Sequence, residues 1–407
     1  MIIFIAWRNI WRNKLRSLVV ILAVCLGLFG TLFMMAISNG MVEQKIDASI
    51  HNEISHIQVH HPDYIQDPSL SYNIDSAIKV GNEIAEVPGV IAVSGRIKVM
   101  AMASTAANAA GVTVNGIDPE LEKSVTKIHE YIIEGDYFDT KGKSAPIVIS
   151  KKLCEKLKAK LNSKIVITIQ HTSGEIAYGL FRVKGIYKTS NNLFDEPNIF
   201  VKTEDLAALT GFDASKVTEI GILLEQSDMT DPVTAVLNRK FPQLNVMSWK
   251  EIEPLLVAMA AMMDQFGYFL LIIILIAMAF GIINTMTMAV LERTREIGML
   301  MAVGMNRRKV FLMIMTETIF LSLVGTLFGI IISAVTIYLT GLSGINFSAW
   351  TEGYESLGYS ALVYPSLYLD FYIGMTILVI ITAIISSIYP ARKALRFNPA
   401  AAIREDA

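Results

Sequence analysis

Charge is scarce in this chain. Of its 407 residues only 18% are Asp, Glu, Lys or Arg, while 53% are hydrophobic; ordinary soluble proteins carry roughly 25% charged residues. Together with a mean hydropathy of +0.48, that excludes a soluble enzyme. Cysteine is scarcer still, Cys25 and Cys154 being the whole complement. One falls in an apolar run and the other in a polar stretch, so they cannot bridge, and a disulfide scaffold is excluded. Also missing are a G-x-S-x-G turn, an H-E-x-x-H pair and a G-x-x-x-x-G-K-[S/T] phosphate loop. The chain therefore shows no nucleotide-hydrolysis machinery and no catalytic centre of those types. Finally, not one Lys or Arg occurs between Lys309 and Arg392.

What is present accounts for the shortage. Crossing roughly 30 Å of hydrocarbon takes about 20 helical residues, and four segments qualify: 18–37, 265–290, 310–340 and 370–391. Apart from Glu317, near the start of the third, and Asp370, which opens the fourth, they hold no charged residue. Lys and Arg gather on the cytoplasmic side of such spans. Here Arg8, Arg12, Lys14 and Arg16 precede the first span. Arg293, Arg295, Arg307, Arg308 and Lys309 lie in the 291–309 loop, and Arg392, Lys393, Arg396 and Arg404 follow the last span. Residues 1–17, 291–309 and 392–407 are thus expected in the cytoplasm, with 38–264 and the 341–369 loop outside. No small-residue cleavage site follows the first span, which reads as a retained anchor and not a signal peptide. Before it, Trp7, Ile10, Trp11 and Leu15 share one helical face, and Arg8, Arg12 and Arg16 another. That is the pattern of an interfacial amphipathic helix or of the first turns of the span itself.

The near-neutral net charge of −2 conceals two opposite surfaces. Residues 38–264 hold 22 basic and 29 acidic side chains, net −7, whereas the three cytoplasmic pieces sum to +9. With the basic residues at the membrane edges and no separate basic domain, nucleic acid is not expected as a partner. The 38–264 segment reads as a mixed α+β domain. Ser55–Val59 alternates like a strand, Asp75–Glu86 like a helix capped by Asp75, and Val90–Val93 like a strand after the Pro88-Gly89 break. Strand–helix–strand returns in 219–224, 231–240 and 244–247, suggesting two α/β halves. Between them, about 100–212 forms a second lobe, with strands at 164–170 and 181–187 and a helix over 150–161. All six histidines lie in this domain. His56 and His60 share a strand face with metal-ligand potential, but no Cys or acid stands at matching spacing, so no metal site is assigned.

The most specific stretch is Glu292-Arg293-Thr294-Arg295-Glu296-Ile297-Gly298-Met299-Leu300-Met301-Ala302-Val303-Gly304. Ile297, Leu300, Met301 and Gly304 recur at i, i+3, i+4, i+7, one face of a short helix. Apolar knobs among charges at the membrane face suit either docking into a partner's groove or lying in lipid headgroups. This E-R-T-R-E-I-G-x-x-x-A-x-G pattern resembles the permease family of MacB, FtsX and the lipoprotein-releasing LolC and LolE proteins. So do the span bearing Glu317, the tail Tyr389-Pro390-Ala391-Arg392-Lys393-Ala394 with Asn398-Pro399-Ala400, and the layout of one span, a large outer domain, then three spans.

The resemblance implies a permease of the bacterial inner membrane that works as a pair, with a second copy or a homologous permease. It binds two copies of a cytoplasmic ABC ATPase subunit, which carry the ATP and Mg, while this chain binds no cofactor. Motion is passed to the periplasmic domain without a channel through the spans. Glu292, Arg293, Arg295, Glu296, Ile297, Gly298, Leu300, Met301 and Gly304 would then form the coupling element. MacB carries its ATPase fused at the N-terminus, and these residues hold none, so the ATPase is expected on a separate subunit. Domain size is closest to LolC and LolE, which implies a lipoprotein substrate and a periplasmic carrier or adaptor; MacB-like export and FtsX-like control of a cell-wall hydrolase are the alternatives. LolC carries an extended hook in an outer hairpin, whereas here about ten residues join the strands near 170 and 181, too few for one. An apolar stalk of Leu256, Met259, Met263 and Phe266, with Phe33, Met34 and Met35 of the first span, could meet membrane lipids and acyl chains or a partner permease. Gly325 and Gly329 form a G-x-x-x-G pair for close helix packing, and Asn284 and Thr285 sit mid-span, able to bond across helices.

Overall fold

A computed structural model describes residues 14–138 and 144–395. The amphipathic segment containing Trp7, Arg8, Ile10, Trp11 and Arg12, and the tail residues from Arg396 onward, including Arg404, lie outside the described residues. Along the chain run α1 (Lys14–Ser49), β1 (Ile57–His60), α2 (Ala77–Ala85), β2 (Val90–Ser104), β3 (Ala109–Ile117), α3 (Pro119–Val125), β4 (Ile132–Gly135), β5 (Ala145–Ser150) and α4 (Lys151–Leu157). Then follow β6 (Lys164–Gln170), β7 (Ile176–Tyr187), β8 (Asn198–Lys202), α5 (Thr203–Thr210), β9 (Glu219–Leu224), α6 (Thr230–Lys240) and β10 (Asn245–Ser248). The long helices α7 (Pro254–Glu292), α9 (Arg307–Ser343) and α10 (Leu369–Ala394) complete the chain, with the short α8 (Thr294–Ala302) between the first two.

Two compact units result, one of 1–42, 260–346 and 362–407, the other of 43–259 and 347–361. In the helical unit, α1, α7, α9 and α10 are long and apolar enough to cross a membrane. Each buries a single stripe. Val20, Val24, Leu28 and Leu32 recur every fourth residue on α1, as do Met278, Ile282, Met286 and Val290 on α7, and they meet Ile314 and Leu321 of α9 and Val379 and Ala383 of α10. The remaining faces stay apolar yet exposed, as at Leu26, Phe269, Ile276 and Phe280, the distribution lipid requires.

The second unit is built on one ten-stranded sheet system. Its first part is the pair of α/β halves: antiparallel β10-β1-β9-β2 interleaves the two strand–helix–strand segments, a split β-α-β arrangement. Aliphatic side chains such as Ile57, Ile84, Ile222 and Leu237 fill the space beneath α2 and α6. The second lobe is a closed barrel. From β2 the pairing passes through β3, β8, β5, β7 and β6 and returns to β2. Ile147, Ile149, Ile165, Ile167, Val183 and Val201 pack its interior, and closure removes exposed strand edges.

Several local expectations are corrected. The Asp75 carboxylate does not cap α2; it pairs with Lys216 at 2.6 Å, and the helix starts at Ala77 after Ser76 at φ +53°. Helix α4 stops at Leu157, not Leu161, because Lys158 turns left-handed at φ +51°. Strand β7 begins at Ile176, leaving five residues in the β6–β7 turn and less room still for a hook. The 341–369 loop is more than a connection: 347–361 belongs with the sheet unit. Lys45 Nζ donates to Leu357 O at 2.6 Å and lies 4.2 Å above the Tyr359 ring, while Lys188 pairs with Glu355 at 3.0 Å.

Candidate coupling site

The loop singled out in the sequence folds around one ion pair. Helix α7 ends at Glu292, and Arg293 turns inward as the residue before α8. Its Nη1 donates to both carboxylate oxygens of Glu317 on α9, at 3.0 and 3.3 Å, with the two side chains only 11% and 10% exposed. Glu317, the lone acid within the third span, thus pins the start of α8. At the other end, Gly304 adopts φ +99°. Its N–H donates to Met301 O, and that of Met305 to Leu300 O, at 3.1 and 2.9 Å, the double bond of a Schellman stop. Asn306 then caps α9, its side chain accepting from Arg308 N at 3.1 Å.

These constraints decide which residues α8 presents. Ile297 packs into the helical core at 4% exposure, Gly298 is buried beside it and Met301 is half-buried against the same core. The knobs read from the i, i+3, i+4, i+7 pattern therefore face this chain itself, apart from Leu300, and Gly304 ends the helix instead of lying on a face. The presented surface is Met299, Leu300 and Val303, the last 89% exposed, ringed by exposed Glu292, Arg295 and Glu296. Met299 and Val303 went unnoticed in the sequence because the apolar period fits both faces.

The packing glycines act within the chain. A methyl on Gly325 would come within 2.9 Å of Ile21 O and Val24 Cβ, and one on Gly329 within 3.1 Å of Cys25 O, so α9 lies directly against α1. Thr285 does not bond across helices; its hydroxyl returns to Gly281 O at 2.8 Å, and Asn284 faces outward. Of the stalk candidates, Met35 is a core residue against Gly267, and Leu256 is buried with Ile50, Ile54 and Trp249. Phe33, Met259 and Met263 are half-buried, leaving Met34 and Phe266 as the exposed members, at 49% and 55%.

The histidines are engaged in structure. His56 Nδ1 accepts from Leu224 N at 3.2 Å, so the neutral ring carries its proton on Nε2, next to Ser227 Oγ at 3.0 Å. Burial pushes this ring down to about 4. His60 contacts Gln58 Oε1 and Thr218 O. Among the described residues no group of three or more His, Cys, Asp and Glu could hold a metal ion. Burial pushes the Cys154 thiol up to about 12, which keeps it unreactive. Missed in the sequence was a buried charge cluster on β2 and β9. Arg96 donates to Glu122, Glu219, Ser55 Oγ and Glu53 O, and Lys98 joins Glu219 at 3.0 Å. Burial would raise the Glu219 carboxyl, but Lys98 and Arg96 hold it at about 2. The signal available was the polar parity Ser94, Arg96, Lys98 in an otherwise apolar strand.

Four apolar helices, a large α+β domain inserted after the first, and a short amphipathic helix pinned between the second and third define a polytopic membrane permease. Residues 17–240 match the family model for the MacB-like periplasmic core domain, and residues 268–399 that for the FtsX-like permease C-terminal region. The chain belongs to this family of ABC transporter permeases. It is similar to the pyoverdine export ATP-binding/permease protein PvdT of Pseudomonas putida, 24% identical over 415 residues that cover 98% of this chain and 59% of that protein. The ABC transporter permease YtrF of Bacillus subtilis is 30% identical over 238 residues, 56% of this chain and 52% of YtrF. The lipoprotein-releasing system transmembrane protein LolC of Buchnera aphidicola subsp. Schizaphis graminum is 23% identical over 353 residues, 83% of each. The chain spans just over half the length of the first two relatives.

Proposed function

We propose that this permease transmits ATP-driven motion from a separate cytoplasmic ABC ATPase to its α+β domain, in order to extract lipoproteins from a bacterial inner membrane for transfer to a periplasmic carrier or adaptor. The observation that carries the reading is α8: an apolar patch of Met299, Leu300 and Val303 within a charged ring, fixed at one end by the buried Arg293–Glu317 pair. A rigidly seated helix with an exposed apolar face passes force to whatever grips it; a mobile loop would not. The distribution of Lys and Arg supports an orientation with both termini and α8 in the cytoplasm and the sheet unit in the periplasm. ATP and Mg belong to the partner subunits, two copies per permease pair.

The long similarity to LolC supports the lipoprotein substrate. Exposed Met34 and Phe266 and half-buried Met263, all in the helical unit, supply flexible apolar side chains of the kind that acyl chains require. The test is release from reconstituted vesicles containing the permease, its ATPase and a lipoprotein. Met263→Asp is expected to abolish release while leaving the complex assembled; unchanged release removes the lipid-contact role. A second reading, MacB-like export of peptides, drugs or toxins, is favoured by similarity to the pyoverdine export protein PvdT across 98% of this chain. In that case vesicles retain the lipoprotein but accumulate the exported compound.

A further inference from the structure

We propose that the outward face of the barrel, centred on Tyr178, is the surface on which a second copy of this chain docks. The strands there alternate as a half-buried sheet should. Ile165, Ile167 and Ile169 of β6 point inward, while the opposite residues face out. On β6 itself these are Lys164, Val166, Thr168 and Gln170, and on the two flanking strands they are apolar. Met100 and Met102 of β2 are 76% and 52% exposed, and Ile176, Tyr178 and Leu180 of β7 are 64%, 68% and 51%. Register makes them one patch: Met102 pairs with Thr168 and Thr168 with Tyr178, and Val166 lies between Ser104 and Leu180. An antiparallel sheet face open to water is ordinarily polar, and a contiguous apolar patch marks an interaction site.

The charges at the two ends select the partner. One end of the strip carries Lys164 opposite Arg182. At the other end Met100 and Gln170 border a cleft also lined by Asp67, Asp213 and Lys216, the lysine being paired with Asp75, which leaves that end acidic. A two-fold axis through the Met102–Thr168–Tyr178 row places the cationic end of each copy against the acidic end of the other and stacks apolar on apolar. Such self-complementarity is what an isologous interface demands. A partner carrying one sign of charge throughout would satisfy only half of the strip. The inference rests on the permease working as a pair and names where the two outer domains meet.

The full-length chain in its membrane tests it, with Cys25 and Cys154 replaced by Ser and Tyr178 by Cys. Packed sheets lie about 10 Å apart, beyond a direct disulfide, so a short bismaleimide is the linker. Tyr178→Cys is expected to give a linked dimer of this chain, whereas Ile78→Cys, 75% exposed on α2, does not. Reversing Lys164 and Arg182 to Glu should cut linking about tenfold through like-charge contact, and adding Asp67→Lys with Asp213→Lys should restore it. Linking to another polypeptide, linking no better than at residue 78, or no rescue by the second reversal overturns the interface. Unchanged melting shows that the variants are folded. A chain that fails to link yet retains its ATPase overturns this inference alone, leaving the coupling function standing.

Discussion

Breaking the Arg293–Glu317 pair should release α8 from its seat. The guanidinium reaches both carboxylate oxygens, at 3.0 and 3.3 Å, and both side chains are about nine-tenths withdrawn from solvent. Removing one partner takes its counter-charge from the other in a buried site, which costs up to about 3–5 kcal/mol, whereas replacing both with apolar groups of similar size is often close to neutral. Arg293→Met and Glu317→Leu singly should therefore each destabilise the helical unit by that amount and lower its melting temperature by on the order of 10 °C. The double variant should recover most of the loss, giving a coupling energy of about 2 kcal/mol or more, within the range for contacting residues. The assay is thermal unfolding of the full-length chain in detergent, run beside co-purification with the ATPase. Singles should lose the ATPase along with stability, and the double should regain stability while binding the ATPase less well, since α8 then lacks the ion pair that fixes its start. Additive losses, within about 0.5 kcal/mol, would refute the claim that this pair seats the coupling helix.

Two further outcomes follow from particular contacts. Gly325→Ala should cost about 1–3 kcal/mol through overpacking against Ile21 and Val24, while Gly281→Ala, whose methyl meets nothing within 4 Å, should cost nothing; comparative melting of the two variants checks this. The unfolded chain protonates His56 below pH 6.5, but the folded one does so only below about 4, so folded-state stability falls as pH drops through that window. Asp195, raised by burial to about 6, acts in the opposite sense between about 6 and 3.8. Against the parent, His56→Gln should therefore lose roughly 2–3 kcal/mol less stability between pH 6.5 and 4, read from pH-dependent melting; an identical acid limb would show that the ring is not buried neutral.

The four spans were legible because charge is excluded from hydrocarbon, so the empty intervals from Arg16 to Glu43 and from Asp264 to Glu292 marked them directly. The paired α/β halves were legible because turn residues such as Pro88-Gly89 and Pro242 punctuate a local pattern. The barrel was not. Its closure depends on β6 returning to β2 across some sixty residues, between Met102 and Thr168, and no local period records a non-local pairing. The coupling loop shows the same division. Residue types identified it, but which apolar side faced inward was settled by Glu317, twenty-four residues away from Arg293. Likewise Asp75 resembled a helix cap until Lys216, distant in sequence, claimed its carboxylate.

The central claim, that α8 is where a cytoplasmic ATPase grips this permease, is tested most directly at Val303. At 89% exposure, a cysteine there should link to an ABC ATPase subunit in intact cells and resist membrane-impermeant thiol reagents added from outside. Labelling from outside, or no ATPase among the linked products, would contradict the account.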